Sequence, residues 1–227
     1  MRKIAISFGE YYHIYNRGNN KQTIFLEEKD WIRFLFLVVY FQSPLFFENL
    51  NRQVAYFVRN RAFNIDEREK KKIESRRYVE LVNFAFMSNH FHLTLRESKE
   101  GGTAAYMQRV LCGYTKYFNA KYKKSGHLFQ GPYKAVHVGS NDQLLYLSTY
   151  IHRNPRELNR WKNKEEQYPW SSLSDYIGRN RWGALLKNDV VLSQFKDTNE
   201  YRKFVRTSVA KTTEELDKNM LIDLDKS

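Results

Sequence analysis

The sequence predicts an α+β fold, and three observations carry that expectation. Residues 11–17 (YYHIYNR) are dense in β-formers and run into Gly18-Asn19-Asn20, a strand closed by a turn. Residues 79–87 are largely apolar and 90–96 (HFHLTLR) alternate, with Ser88-Asn89 between them, which describes a hairpin inside a sheet. Around these strands lie stretches of helical spacing. In 27–41 the residues Trp31, Phe34, Leu35, Val38 and Val39 fall on one face, and Ser43-Pro44 stops the pattern.

The remaining elements follow in chain order. Residues 53–58 fit a strand or a short helix equally well. The run DEREKKKIESRR (66–77) predicts a solvated helix or connector. A long helix should open at 101–103, capped by Thr103 or Gly102, and continue to about residue 122, where Ser125-Gly126 ends it. Residues 126–138 read as loop and strand. Ser140-Asn141-Asp142 should cap a helix over 143–153, and Pro155 disfavours α geometry at Asn154. Beyond Trp170 the signal weakens. Residues 190–209 predict a helix, and 211–227 a frayed tail.

Composition limits the function classes. The chain has 227 residues, 42% of them hydrophobic, with 16 Tyr and 16 Phe, so it can bury a real core and extensive disorder is excluded. Lys and Arg total 38 against 25 acids, a net charge of +13, which favours a polyanionic partner. From 101 to 134 there are six basic residues, Arg109, Lys116, Lys121, Lys123, Lys124 and Lys134, and no acid. Seven aromatic residues share that stretch. Ammonium groups neutralise phosphates and exposed rings stack on unpaired bases, which suits single strands. The competing expectation is that at least half of those rings are core. The single cysteine, Cys112, excludes an internal disulfide and reads as an inert core thiol. The start, MRKIA, lacks the sustained apolar region of a signal peptide. The most apolar run, 34–40, is far shorter than the roughly 20 residues of a membrane span. A cytoplasmic protein with no membrane partner is the expectation.

His90 and His92 are the sharpest chemical feature. At i and i+2 of a strand they share a face, about 6.7 Å apart, and can converge on one cation at roughly 2.1 Å. Phe91 should point the other way, into the core. A metal beside a phosphodiester acts as a Lewis acid, and a tyrosine is an available covalent nucleophile. Among the tyrosines, Tyr150 is distinguished by Asn154, about 6 Å along the same helical face, whose carbonyl can complete a metal shell. The pattern equally fits Tyr150 as a buried ring and Asn154 as a C-terminal cap.

The segments YHIYNRGNNKQTIF (12–25), FAFMSNHFHLTL (84–95), GHLFQGPYKA (126–135), YIHRNP (150–155) and YPWSS (168–172) occur in this order in a known family. In them the chain resembles the REP-associated tyrosine transposases, relatives of the single-tyrosine HUH transposases, over residues 11–176. The resemblance implies a ferredoxin-like antiparallel sheet backed by helices, as a catalytic domain over 1–178 with a C-terminal helical extension and tail over 179–227. It implies Mg²⁺ or Mn²⁺ as cofactor and hairpin-bearing single-stranded DNA as substrate. His90 and His92 match the metal histidines, Asn154 the third ligand, and Tyr150 the nucleophile that forms a 5′-phosphotyrosine bond. Pro132 stands where the family usually has a basic residue, which weakens the DNA grip of that loop.

For DNA contacts the expected residues are Arg17, Lys116, Lys121, Lys123, Lys124, Gln130, Lys134 and Arg153. His13, His127, His137 and His152 are expected to be structural, and Trp170 a core anchor. The alternatives are a non-catalytic single-strand binding module, an HUH relaxase or replication initiator, and a hydrolase whose histidines activate water. The residues leave monomer and homodimer both open.

Overall fold

The computed structural model describes residues 5–45 and 49–210, so the first four residues of the basic start and the tail expected over 211–227 lie outside the described residues. Alternation and β-propensity place β1 at Tyr11–Arg17, β2 at Val79–Met87, β3 at His90–Glu97 and β4 at Lys134–Val138. They form one sheet in the order β2-β3-β1-β4, every neighbouring pair antiparallel. Helix α1 (Glu28–Tyr40) follows β1. Helices α2 (Leu50–Asn60) and α3 (Glu67–Ser75) lead into β2, and α4 (Gly102–Tyr122) joins β3 to β4. This is the βαββαβ succession of a ferredoxin-like fold, as the resemblance implies.

One face of the sheet carries Phe84, Phe86, Phe91 and Leu93, all fully buried. Phe34 of α1 meets Phe86 edge-on at 5.0 Å and lies 5.1 Å from Phe91, and Tyr114 of α4 stands 5.0 Å from Phe34. Burying each such ring contributes about 2–3 kcal/mol. The opposite face carries His90, His92, Thr94, His13 and Tyr15, and it is covered by α5 (Asn141–Arg153). Phe91 therefore does point away from the histidines, because neighbouring residues of a strand face opposite ways.

Several local details differ from the sequence expectation. The undecided segment 53–58 is helical, inside α2. The cap of α4 is neither Thr103 nor Gly102: Gly101 holds that place at φ +71, and the Glu97 carboxylate accepts from the Gly102 and Thr103 amides at 2.8 Å each. Gly102 has no room for a Cβ, which would meet the Tyr78 carbonyl at 2.3 Å. Cys112 is exposed rather than core, since the buried stripe of α4 runs through Tyr106, Met107, Val110, Tyr114 and Phe118. Five of the seven aromatic residues between 101 and 134 are buried, which leaves little of that stretch for base stacking.

The C-terminal extension joins the same core. Residues 168–172 run along the outer edge of β2, with Phe86 N–H donating to Trp170 O (2.9 Å) and Ser172 N–H to Phe84 O (3.0 Å). This covers an edge that would otherwise invite pairing. Trp170 itself is only half-buried and stacks on Trp31 at 5.3 Å. After α6 (Leu173–Ile177), the helix expected over 190–209 is two helices, α7 (Asp189–Leu192) and α8 (Thr198–Thr207). The break comes at Asp197, whose side chain caps α8 by accepting from the Asn199 and Glu200 amides. Trp182 and Tyr201 of this extension are buried in the common core.

Candidate active site

His90 and His92 lie on the α5-covered face of β3, their ring centroids 5.1 Å apart. His92 is 3% exposed, while His90 keeps partial exposure at the open end of the strand. Strand β1 sets Tyr15 opposite His92 and Arg17 opposite His90. Strand β4 sets Lys134 opposite Tyr15, so Lys134 lies in the same row as His92.

Helix α5 brings Tyr150 to this face. Ser140 caps the helix through Gln143 N–H, and Tyr150 lies two and a half turns further on. Its ring stands edge-on to His92 at 5.8 Å and to His13 at 6.0 Å, and the residue is completely buried. Nearly sixty residues separate His92 from Tyr150 in the chain, and the fold brings their rings into contact.

Asn154 departs from expectation. It keeps α geometry (φ −50, ψ −42) despite Pro155, and the chain continues as a 3-10 turn over Asn154–Glu157. The physical reason lies in its hydrogen bonds. The Asn154 amide donates to Ile151 O, the tighter 3-10 pattern, and Asn154 Nδ2 donates to Tyr150 O at 3.0 Å. The side chain thus takes over the carbonyl that the tightened turn gives up. Its other polar atom, Oδ1, is buried with no hydrogen-bond partner.

Two imidazoles on one sheet face and one unpartnered buried amide oxygen fit a divalent cation with positions left for phosphate or water. Among the described residues no group of three or more His, Cys, Asp or Glu gathers as a metal cluster, so the donor set would be these two rings and an amide.

The expected DNA contacts divide. Lys116, Lys123, Lys124, Gln130 and Lys134 are exposed, and Gln130 Oε1 accepts from Arg17 Nε at 2.5 Å, joining two of them in one polar unit beside His90. Lys121 is committed elsewhere. Its ammonium donates to Glu27 (2.5 Å) and to the buried Asp30 (2.6 Å), where α4 meets the start of α1. Burial alone would raise the Asp30 carboxyl, but hydrogen bonds from Lys121, Tyr122 and two backbone amides hold it below its usual range.

Arg153 is a correction: it is 2% exposed and cannot meet DNA from there. Its guanidinium donates to the carbonyls of Val205 (2.8 Å), Arg206 (3.0 Å) and Ala210 (2.9 Å), closing the C-terminal end of α8.

Among the other histidines, His127 is exposed and His137 contacts Glu10 at 2.8 Å. His152 is fully buried between Tyr201 OH (2.7 Å at Nδ1) and Ser172 Oγ (2.9 Å at Nε2). Burial pushes its pKa down to about 3. Because that lies below the unfolded value of about 6.5, the stabilisation is whole above pH 6.5 and is lost as pH falls through 5 toward 3. At pH 5 the loss should be about 2 kcal/mol relative to pH 7.5. Urea unfolding of wild type and His152→Gln at both pH values checks this: the variant should lose less on acidification, and equal losses would remove His152 as the cause.

His13 is the residue that sequence reasoning passed over as merely structural. Its Nε2 lies 2.9 Å from His92 Nδ1, at the centre of the site. The alternation His13, Tyr15, Arg17 puts all three on one face, but nothing local says that this face is the one His92 occupies.

A family model described as "Transposase IS200 like" matches residues 51–154, which include His90, His92, Tyr150 and Asn154 but not β1. A solved structure of a REP-associated tyrosine transposase bound to a REP hairpin is similar in fold, with a TM-score of 0.50 and 13% identity, over 84% of this chain and 92% of that one. No curated protein matches the sequence. No helix among the described residues is long and apolar enough to cross a membrane. Both histidines, the facing tyrosine and the asparagine one helical turn beyond it all lie inside the stretch, residues 51–154, that is similar to the IS200-like transposases.

Proposed function

We propose that this protein is a transposase that cleaves and rejoins hairpin-bearing single-stranded DNA through a covalent 5′-phosphotyrosine on Tyr150, with His90, His92 and Asn154 holding Mg²⁺ or Mn²⁺. The observation that carries this reading is the 5.8 Å approach of the Tyr150 ring to His92 on the sheet face that α5 covers. A phenol oxygen attacking phosphorus forms the O–P bond to tyrosine, breaks the bond to the 3′-oxygen and leaves a 3′-hydroxyl. Attack by another 3′-hydroxyl reverses it, so no external energy source is consumed. A bound divalent cation would polarise the phosphate as a Lewis acid.

The chain's own residues orient the strand. Arg17 and Gln130 lie at the His90 end, where the site opens, Lys134 lies in the row of Tyr15 and His92, and all three serve as phosphate contacts. Lys116, Lys123 and Lys124, on α4 and just beyond its end, add exposed positive charge for the rest of the strand. The fold likeness to a protein that binds a REP hairpin supports a hairpin as the folded part of the substrate.

The reading is tested with labelled hairpin single strands and Mn²⁺, run on a denaturing gel. A slow-migrating adduct is expected from wild type, falling by at least about 10²-fold in His90→Ala/His92→Ala. The full burial of Tyr150 favours one rival, a module that binds single strands without cutting. That rival gives salt-dependent binding, a slope of roughly −0.7 per phosphate neutralised, and no adduct at any Mn²⁺ concentration. A hydrolase would release a 5′-phosphate with no protein attached.

A further inference from the structure

We infer that His13 is a positioning residue for His92, orienting that ring so that its Nε2 is the nitrogen presented to a cation. The inference rests on the proposed reading of His90 and His92 as cation ligands.

The geometry is specific. His13 on β1 faces Thr94, two pairs along from Tyr15 and His92, so its ring reaches diagonally across the strand gap. The His13 and His92 rings lie nearly parallel, 5.1 Å apart with 19° between planes, joined edge to edge by the 2.9 Å contact of Nε2 with Nδ1. Both residues are almost wholly buried, at 1% and 3% exposure. Tyr15 stacks on His13 at 4.8 Å and Tyr150 closes on both rings edge-on. The His92 ring is therefore fixed by one hydrogen bond and packed rings on several sides.

The hydrogen bond decides which nitrogen is left. Nδ1 of His92 is occupied by His13, so a cation can be met only at Nε2. An imidazole that gives its Nε2 lone pair to a cation carries its proton on Nδ1. In that state His92 Nδ1–H donates, His13 Nε2 accepts, and the His13 proton sits on Nδ1. Both rings stay neutral and no charge is added. Metal-ligating histidines are ordinarily oriented by a carboxylate or a carbonyl in this position. Here an imidazole from the neighbouring strand fills that place, and it lies outside the stretch matched by the family model.

Mn²⁺ binding to the DNA-free protein, followed by the EPR signal of free Mn²⁺, tests the inference. Four proteins are compared: wild type, His13→Ala, His13→Gln and His92→Ala. Loss of an orienting partner costs 10- to 100-fold in affinity in comparable sites, so His13→Ala should bind about that much more weakly. His13→Gln offers an amide oxygen as acceptor and should stay within about threefold of wild type. A general packing defect would weaken both His13 variants alike, and that result would overturn the inference, as would wild-type affinity in His13→Ala. Unchanged binding in His92→Ala would instead overturn the ligand reading itself, and the positioning role with it. A second measurement needs no metal. In ¹⁵N-labelled protein, a coupling across the hydrogen bond between His92 Nδ1 and His13 Nε2 should be visible, and its absence also rejects the assignment.

Discussion

Replacing Tyr150 by Phe should reduce covalent DNA adduct by at least about 10³-fold, because the variant keeps the ring and loses only the attacking oxygen. Deleting the nucleophile of an enzyme that works through a covalent intermediate costs up to about 10⁶-fold. The phenyl ring of the variant would retain the edge-on contacts with His13 and His92, so folding stability should change by no more than about 1 kcal/mol. Hairpin affinity should hold within about threefold, since phosphate contacts lie on other residues. The other tyrosines of the basic stretch are poor substitutes. Tyr114 OH donates to Ile24 O at 2.5 Å on the far side of the sheet, and burial holds its ionisation far above the ordinary phenol range. Tyr117 OH donates to Asp30 at 2.9 Å beside Lys121. The measurement is single-turnover adduct yield on a denaturing gel, with unfolding and binding controls. Adduct at wild-type yield from Tyr150→Phe would remove Tyr150 from the chemistry.

Arg153→Ala should destabilise the protein by about 3 kcal/mol, the largest stability effect expected of any residue near the site. The buried guanidinium serves three carbonyls at the end of α8, and truncation leaves all three without that donor. A hydrogen bond to a charged group contributes about 1.5–3 kcal/mol, and these three share one desolvation cost, so they do not simply add. Burial pulls the Arg153 pKa down, which records that cost, yet it remains charged because guanidinium starts so high. The effect should appear as a fall of about 6–12 °C in Tm and an unchanged urea m-value. Hydrogen exchange should also quicken in the last turn of α5. Neighbouring contacts tie the same two helices: Tyr201 OH donates to Ser148 Oγ at 3.2 Å, and Thr149 Oγ1 lies 3.2 Å from Ser208 Oγ. Arg153→Lys should recover only part of the loss, since an ammonium lacks the planar fork. Were Arg153 a phosphate contact instead, its truncation would leave stability intact and reduce the salt slope of DNA binding by about one. That outcome would return it to the DNA surface.

Most of the fold was legible because its signals are local. Alternation in 90–96 and the apolar run of 79–87 delimit β3 and β2 almost to the residue, and the spacing of 27–41 marks α1. Where capping depends on a distant group, legibility failed. The cap of α4 comes from Glu97 at the end of the preceding strand, and α2 takes its form from packing that a mixed sequence does not announce. Asn154 was misjudged because its own side chain bonds Tyr150 O and offsets the constraint from Pro155.

By itself the sequence determined that His90 and His92 share one face of a strand, and that Tyr150 and Asn154 share one face of a helix, because both periodicities are set by backbone geometry within a few residues. Only the tertiary structure decided that those two faces meet, that His13 holds His92, and that Arg153 and Lys121 are spent inside the protein. Strand order and helix docking join positions tens of residues apart, through loop closure and core packing, and a basic side chain looks the same in sequence whether a phosphate or a buried carbonyl awaits it.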